Sequence, residues 1–144
     1  MKIDAIKTGI VIDHITAGRG MKLYELLDLD SLDCSVAIIK NVPSVKMGRK
    51  DIIKIDADLD LDLDVIGYVD PGATVNIIKD GKLIKKLNID MPETLVNVIK
   101  CKNPRCITQT EQELSHVFRL TDRENKIYRC IYCETKAEDS NKKQ

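Results

Sequence analysis

The chain has 144 residues, 43% of them hydrophobic but only 3% aromatic, and its 23 basic side chains balance 23 acidic ones. That length makes one ordinary domain or two small ones with aliphatic cores. The zero net charge excludes a strong field for DNA, RNA or an anionic membrane, and the scarcity of aromatics excludes a base-stacking platform for single strands.

No apolar run approaches the roughly 20 residues that span a bilayer. The first seven residues are interrupted by charge and lack the apolar stretch of a signal peptide. These features point to the cytoplasm, where reducing conditions make disulfides a poor use of five cysteines.

Ile6 to Ile15 is rich in β-branched residues and predicts a strand. Ala17-Gly18-Arg19-Gly20 is a turn. Met21 to Leu29 spaces Leu23, Leu26 and Leu27 as a short amphipathic helix. Ser35 to Val42 predicts a second strand, and Lys50 to Asp56 a third. Asp56 to Asp64 alternates acidic and apolar residues, which predicts a strand with one buried face. Because Asp is a poor strand former, a second helix is the alternative. Gly67 to Gly72 breaks the chain. Thr74 to Lys79 and Lys82 to Asn88 predict a hairpin around Asp80-Gly81.

This order is close to a ferredoxin-like βαββαβ sheet with helices on one face and one additional strand. Asp90-Met91-Pro92-Glu93 marks a boundary between residues 1–92 and 93–144. In the second part, Thr94 to Ile99 precedes the paired cysteines. His116 to Leu120 and Lys126 to Ile131 predict a hairpin, and Ala137 to Gln144 is a polar, fraying tail. The fold class is therefore α+β, a ferredoxin-like domain followed by a small all-β, zinc-ribbon-like domain.

Cys101, Cys106, Cys130 and Cys133 form a Cys-x4-Cys pair and a Cys-x2-Cys pair. Each pair fits a tight turn that aims two sulfurs at one point, and Asn103-Pro104 lies inside the first. Four thiolates close the tetrahedron of one Zn²⁺ and leave no open position, so the metal is structural. The second domain holds few large apolar side chains, and a structural zinc site supplies on the order of 10 kcal/mol. A redox Cys-x-x-Cys would precede a helix in a βαβ unit, which is not the context of Cys130 and Cys133. Cys34 has no partner and reads as a small buried hydrophobe.

Other candidates carry two readings each. Asp13-His14 at the end of the first strand is a ligand-facing pair or a solvated terminus. Lys50, Ile52 and Lys54 share one strand face, which fits phosphates or a sugar, or else a lysine-protected edge. The aspartate run offers Leu61 and Gly67 where an EF-hand needs Gly and Glu, so calcium is set aside. No nucleophile elbow, Walker motif or zincin helix is present. Two further classes compete: a zinc-ribbon nucleic-acid binder, lacking its basic stripe, and a small enzyme, lacking a catalytic constellation.

Three ordered motifs sharpen these choices. They are Ala5-Ile6-Lys7-x-Gly9-x-Val11-Ile12-Asp13-His14-Ile15, then Met47-Gly48-Arg49-Lys50-Asp51-x-Ile53-Lys54-Ile55, then Ala73-Thr74-Val75-Asn76. With Cys130-Ile131-Tyr132-Cys133-Glu134 and the cysteine spacing, the sequence resembles the regulatory chains of aspartate carbamoyltransferase nearly end to end. The resemblance implies an allosteric nucleotide-binding domain at 1–92 and a zinc domain at 93–144 that contacts the catalytic chain. It implies a non-catalytic chain that forms a homodimer through the nucleotide domain, with inhibition by CTP and UTP and activation by ATP. The balanced charge and the lack of a spanning apolar run already predict no nucleic-acid and no membrane partner.

The implied effector site draws on Ile6, Val11, Asp13, His14, Lys50, Ile52, Lys54, Asn76, Ile78 and Lys86. Ile6 would read the base through its backbone and frame it with Val11. Lys54 would reach the base or ribose, and His14 and Lys86 the phosphates. The family can carry an aromatic residue in the hairpin after Asn76, where this chain has Gly81.

Overall fold

A computed structural model describes residues 7–137. The chain divides into two compact units, Met1–Asp90 and Met91–Gln144. Ile6 and most of the predicted polar tail lie outside the described residues.

The first unit contains β1 (Gly9–Thr16), α1 (Gly20–Leu26), β2 (Val36–Ser44), β3 (Gly48–Ile55), α2 (Leu63–Val69), β4 (Thr74–Lys79) and β5 (Lys82–Asn88), with a 3-10 turn at Leu29–Ser31. The five strands form one sheet in the order β2-β3-β1-β4-β5, antiparallel at every pairing. The first four strands have the ferredoxin-like order expected from the sequence, and β5 extends the edge.

Alternation assigns the faces. Ile10, Ile12, Ile53, Ile55 and Val75 are buried, as are Leu23, Val65, Ile66 and Val69 of the two helices. They form an aliphatic core on one side of the sheet. Along β3, Lys50, Ile52 and Lys54 are only half-buried while Asp51, Ile53 and Ile55 are buried, so they belong to the opposite, open face.

The Asp56–Asp64 segment corrects the sequence reading. Residues 56–62 form no ladder, although Ala57, Leu59 and Leu61 stay half-buried while the intervening aspartates are exposed. The helix begins later, at Leu63, where the Asp62 side chain caps it by accepting from the Asp64 N–H at 3.1 Å. Gly67 does not break the chain. It is buried inside α2, and the helix ends at Asp70 before Pro71. The β4–β5 hairpin agrees with its prediction: Asp80 and Gly81 have φ of 53° and 77°, the pair of positive values that a tight two-residue turn requires.

One buried carboxylate ties this unit together. Asp51 on β3 is fully buried. Its Oδ2 accepts from the backbone N–H groups of Gly18 and Gly20 at 3.0 and 2.9 Å, and its Oδ1 accepts from Asn41 N–H at 2.8 Å. Those donors sit on the β1–α1 turn and in β2, where Lys40 and Asn41 bulge opposite Asp51. Cys34 lies just before β2 and is partly exposed. The expectation that it is buried fails because the segment leading into that edge strand is incompletely covered.

The second unit holds a three-stranded sheet in the order β6-β7-β8, formed by β6 (Thr94–Val96), β7 (Val117–Asp122) and β8 (Ile127–Cys130). Leu95, Phe118 and Tyr128 make a small buried core. The Tyr128 hydroxyl donates to the Pro92 carbonyl at 2.5 Å. Among the described residues, no helix is long and apolar enough to cross a membrane.

A Cβ added at Gly20 would stand 2.9 Å from Asp51 Oδ2. Gly20→Ala is expected to lower the unfolding free energy by about 1–3 kcal/mol, read from urea denaturation midpoints.

Candidate functional site

The register of the first sheet gathers most of the sequence-derived candidates on its open face. Val11 pairs with Lys54 on one side and with Asn76 on the other, and Asn76 pairs with Lys86. Directly opposed residues share a face. Lys54, Val11, Asn76 and Lys86 therefore form one row across four strands, with the two lysines about 14 Å apart at the backbone. Ile78 lies two residues along β4, opposite Gly9.

A bulge in β1 shapes the adjoining row. Ile12 pairs with Ile53 and Ile15 with Asp51, so Asp13 and His14 together oppose Ile52. His14 adopts a left-handed conformation, with φ of 60°. Its N–H is taken up by the Asp13 carboxylate at 2.6 Å. Its Nδ1 lies 3.1 Å from the Thr74 hydroxyl, an orienting contact that sequence reasoning missed. Thr74 stood inside a quoted motif, but only the β1–β4 register brings it to the imidazole. Asp13 also binds Lys50 at 3.0 Å.

Burial acts to raise the Asp13 carboxyl. The bond and charge of Lys50 and the His14 N–H outweigh it and hold the group below its ordinary 3.8.

Near the centre of the row, Asn76 Oδ1 is buried and has no hydrogen-bond partner. Lys54 and Lys86 pair with no carboxylate among the described residues. The face thus presents two free cations, an oriented imidazole, an orphaned acceptor and apolar Val11 and Ile52. Gly81 sits at the β4–β5 tip with its N–H donating to the Lys7 carbonyl at 2.8 Å.

In the second unit the four paired cysteines converge, each sulfur within 4.8 Å of the others. Cys101 and Cys133 sulfurs are 3.6 Å apart, and Cys106 and Cys130 are 3.7 Å apart. A tetrahedron with Zn–S bonds of about 2.3 Å has edges of about 3.8 Å, so the cluster fits one zinc ion.

The turns that aim the sulfurs are built locally. Arg105 N–H donates to Asn103 Oδ1 at 3.0 Å. Cys106 N–H donates to the Asn103 carbonyl at 3.0 Å, and Glu134 N–H to the Cys130 carbonyl at 2.8 Å. Thr108 Oγ1 donates to Cys106 Sγ at 3.1 Å.

The thiols differ in acidity. Burial, with help from the neighbouring thiols, pushes Cys101 up to about 12, and burial also raises Cys130. At Cys133 burial acts the same way but is overcome by Thr135, Asn103 and Cys101, which bring it down to about 6. Cys106 is lowered against burial by Thr108. A divalent cation among the sulfurs would favour the thiolate at all four positions. With four sulfurs around it, that ion has a closed, structural coordination sphere.

Because the Asp13 carboxyl is depressed in the folded state, its contribution is complete above its ordinary value and is lost as pH falls through the lowered one. Asp13→Asn is expected to be less stable than wild type at about pH 6, with the gap narrowing as pH falls below the ordinary 3.8 in urea unfolding series.

Comparison with known proteins finds a family model for each unit. The family model described as aspartate carbamoyltransferase regulatory chain, allosteric domain, matches residues 1–90, and the one described as its metal binding domain matches residues 93–142. The chain is 50% identical over 135 residues to the aspartate carbamoyltransferase regulatory chain of Clostridium tetani, covering 93% of this chain and 94% of that one. It is 47% identical over 134 residues to that of Clostridium botulinum strain Hall, covering 93% and 92%. For Bifidobacterium longum the identity is 43% over 137 residues, covering 95% and 99%. The chain therefore belongs to the aspartate carbamoyltransferase regulatory chain family, as a regulatory and non-catalytic subunit with a structural zinc centre.

Proposed function

We propose that this chain carries nucleotide control to the catalytic chains of aspartate carbamoyltransferase, with the open face of the first sheet as its effector site. The observation that carries this reading is the row Lys54, Val11, Asn76 and Lys86 with its orphaned Asn76 oxygen. A buried acceptor without a partner costs about 1–3 kcal/mol, which a bound ligand with a suitable donor would recover.

Lys86 and His14 supply positive charge or donors for phosphates. Val11 and Ile52 offer apolar contact to a base, and Lys54 reaches base or ribose. Ile6 completes the base contact through its backbone, as the family resemblance implies. Gly81 brings no side chain to the ligand, so base discrimination falls to backbone groups and to Val11, Lys54 and Asn76.

CTP and UTP as inhibitors and ATP as activator fit this chemistry, since all are nucleoside triphosphates. Each can shift the assembly only by binding one of its states better.

Exposed apolar side chains support a docking role for the metal-binding unit. Ile107, Ile131 and Tyr132 stand beside the ligating cysteines and remain 50%, 45% and 41% exposed. The metal fixes the turns that carry them, so it holds the surface offered to the catalytic chain. Regulatory chains pair through the first unit, whose edge strand β2 begins with the apolar run Val36-Ala37-Ile38-Ile39. The cytoplasm suits the four cysteines, since reducing conditions keep them available as thiolates.

Two measurements test this reading. Lys86→Ala is expected to weaken CTP binding about tenfold in calorimetry on the zinc-loaded chain, the loss of one charge-assisted bond. Unchanged affinity refutes the phosphate assignment. Thiol modification and removal of zinc are expected to release the catalytic chain in sizing chromatography, and a complex that survives without metal refutes the docking role.

A further inference from the structure

The metal-binding unit has an open cavity of about 570 Å³, within the size range of small-molecule sites. Its lining includes Asn97, Lys100, Gln109, Glu113, Ser115 and His116 around the buried Cys101. Neither the effector face nor the sulfur cluster accounts for it.

The cavity is built on the backbone of Cys101. Cys101 N–H donates to His116 Nδ1 at 3.1 Å, and its carbonyl accepts from Gln109 Nε2 at 2.6 Å. Asn97 braces the other side. Its N–H donates to the His116 carbonyl at 2.7 Å, and its Oδ1 accepts from His116 N–H at 2.9 Å.

A neutral imidazole that accepts at Nδ1 carries its proton on Nε2. That N–H has no acceptor, and the Lys100 ammonium no carboxylate, among the described residues. A fixed donor and a free cation in one cavity call for an anionic acceptor. Glu113, of opposite sign in the same lining, works against a compact polyanion such as phosphate. It favours a carboxylate that brings N–H donors of its own.

We propose that this cavity binds a carboxylate flanked by N–H donors, presented by a free amino acid or by an acidic segment of the catalytic chain. Through His116 and Gln109 the occupant would bear on the peptide groups of a metal ligand, which links this site to the integrity of the zinc centre.

The test uses the full zinc-loaded chain labelled with ¹⁵N-histidine. One arm titrates L-glutamate, a second adds the catalytic chain, and a third adds inorganic phosphate. The His116 Nε2 resonance is expected to shift in at least one of the first two arms and not in the third. Lys100→Glu, which leaves the Cys101 bonds in place, is expected to weaken the responding interaction about tenfold with zinc stoichiometry unchanged.

A response to glutamate alone assigns the free ligand, and a response to the catalytic chain alone assigns the docked segment. No shift in either arm, an equal response to phosphate, or unaltered binding by Lys100→Glu overturns the proposal. The second arm rests on the proposed partnership. Failure of wild type to co-elute with the catalytic chain tells against that partnership and leaves the glutamate arm to decide this site.

Discussion

Asp51 sits at the joint between three elements of the first unit. Its carboxylate accepts three backbone N–H groups, two from the β1–α1 turn and one from the β2 bulge. Buried backbone donors without partners are costly, so this side chain lets the turn and the bulge exist inside the fold. The next residue on β3, Ile52, opposes the second bulge, the one that carries Asp13 and His14. Two irregularities therefore flank two consecutive residues of β3. One is stitched from within the core, and the other shapes the open face.

That arrangement explains how one sheet can carry a closed core face and an irregular open face. One face is closed by aliphatic side chains and two short helices. On the other, regular alternation would have turned His14 toward the core if Asp13 faces outward. The bulge removes that constraint and brings the imidazole to the Thr74 hydroxyl beside Asp13 and Lys50. The ladder N–H that this costs is recovered within the bulge, by the Asp13 carboxylate.

The second unit works by a different principle. Its core rests on Leu95, Phe118 and Tyr128 with a few neighbours, too little burial for a unit of that size to stand by itself. The sulfur cluster takes the place of a larger core. Its geometry suits zinc, and its turns carry exposed apolar side chains whose positions depend on it.

The sequence by itself determined the four sulfurs, because close cysteine pairs need only local turns and one long connection to meet. It determined the β4–β5 hairpin, since Asp80-Gly81 specifies positive φ at both positions. It determined the ferredoxin-like order, and the family resemblance named candidate residues that lie on the open face. The alternating aspartates misled, because period two describes an extended segment whether or not a partner strand lies beside it. The start of α2 was present in the Asp62 cap but hidden under that alternation. Only the tertiary structure decided that Asp51 anchors the β1–α1 turn and the β2 bulge, that Thr74 orients His14, that Asn76 has an unmet acceptor, and that a cavity forms on Cys101. Each of these depends on register or on contacts between segments far apart in the chain, and neither composition nor periodicity encodes such pairings.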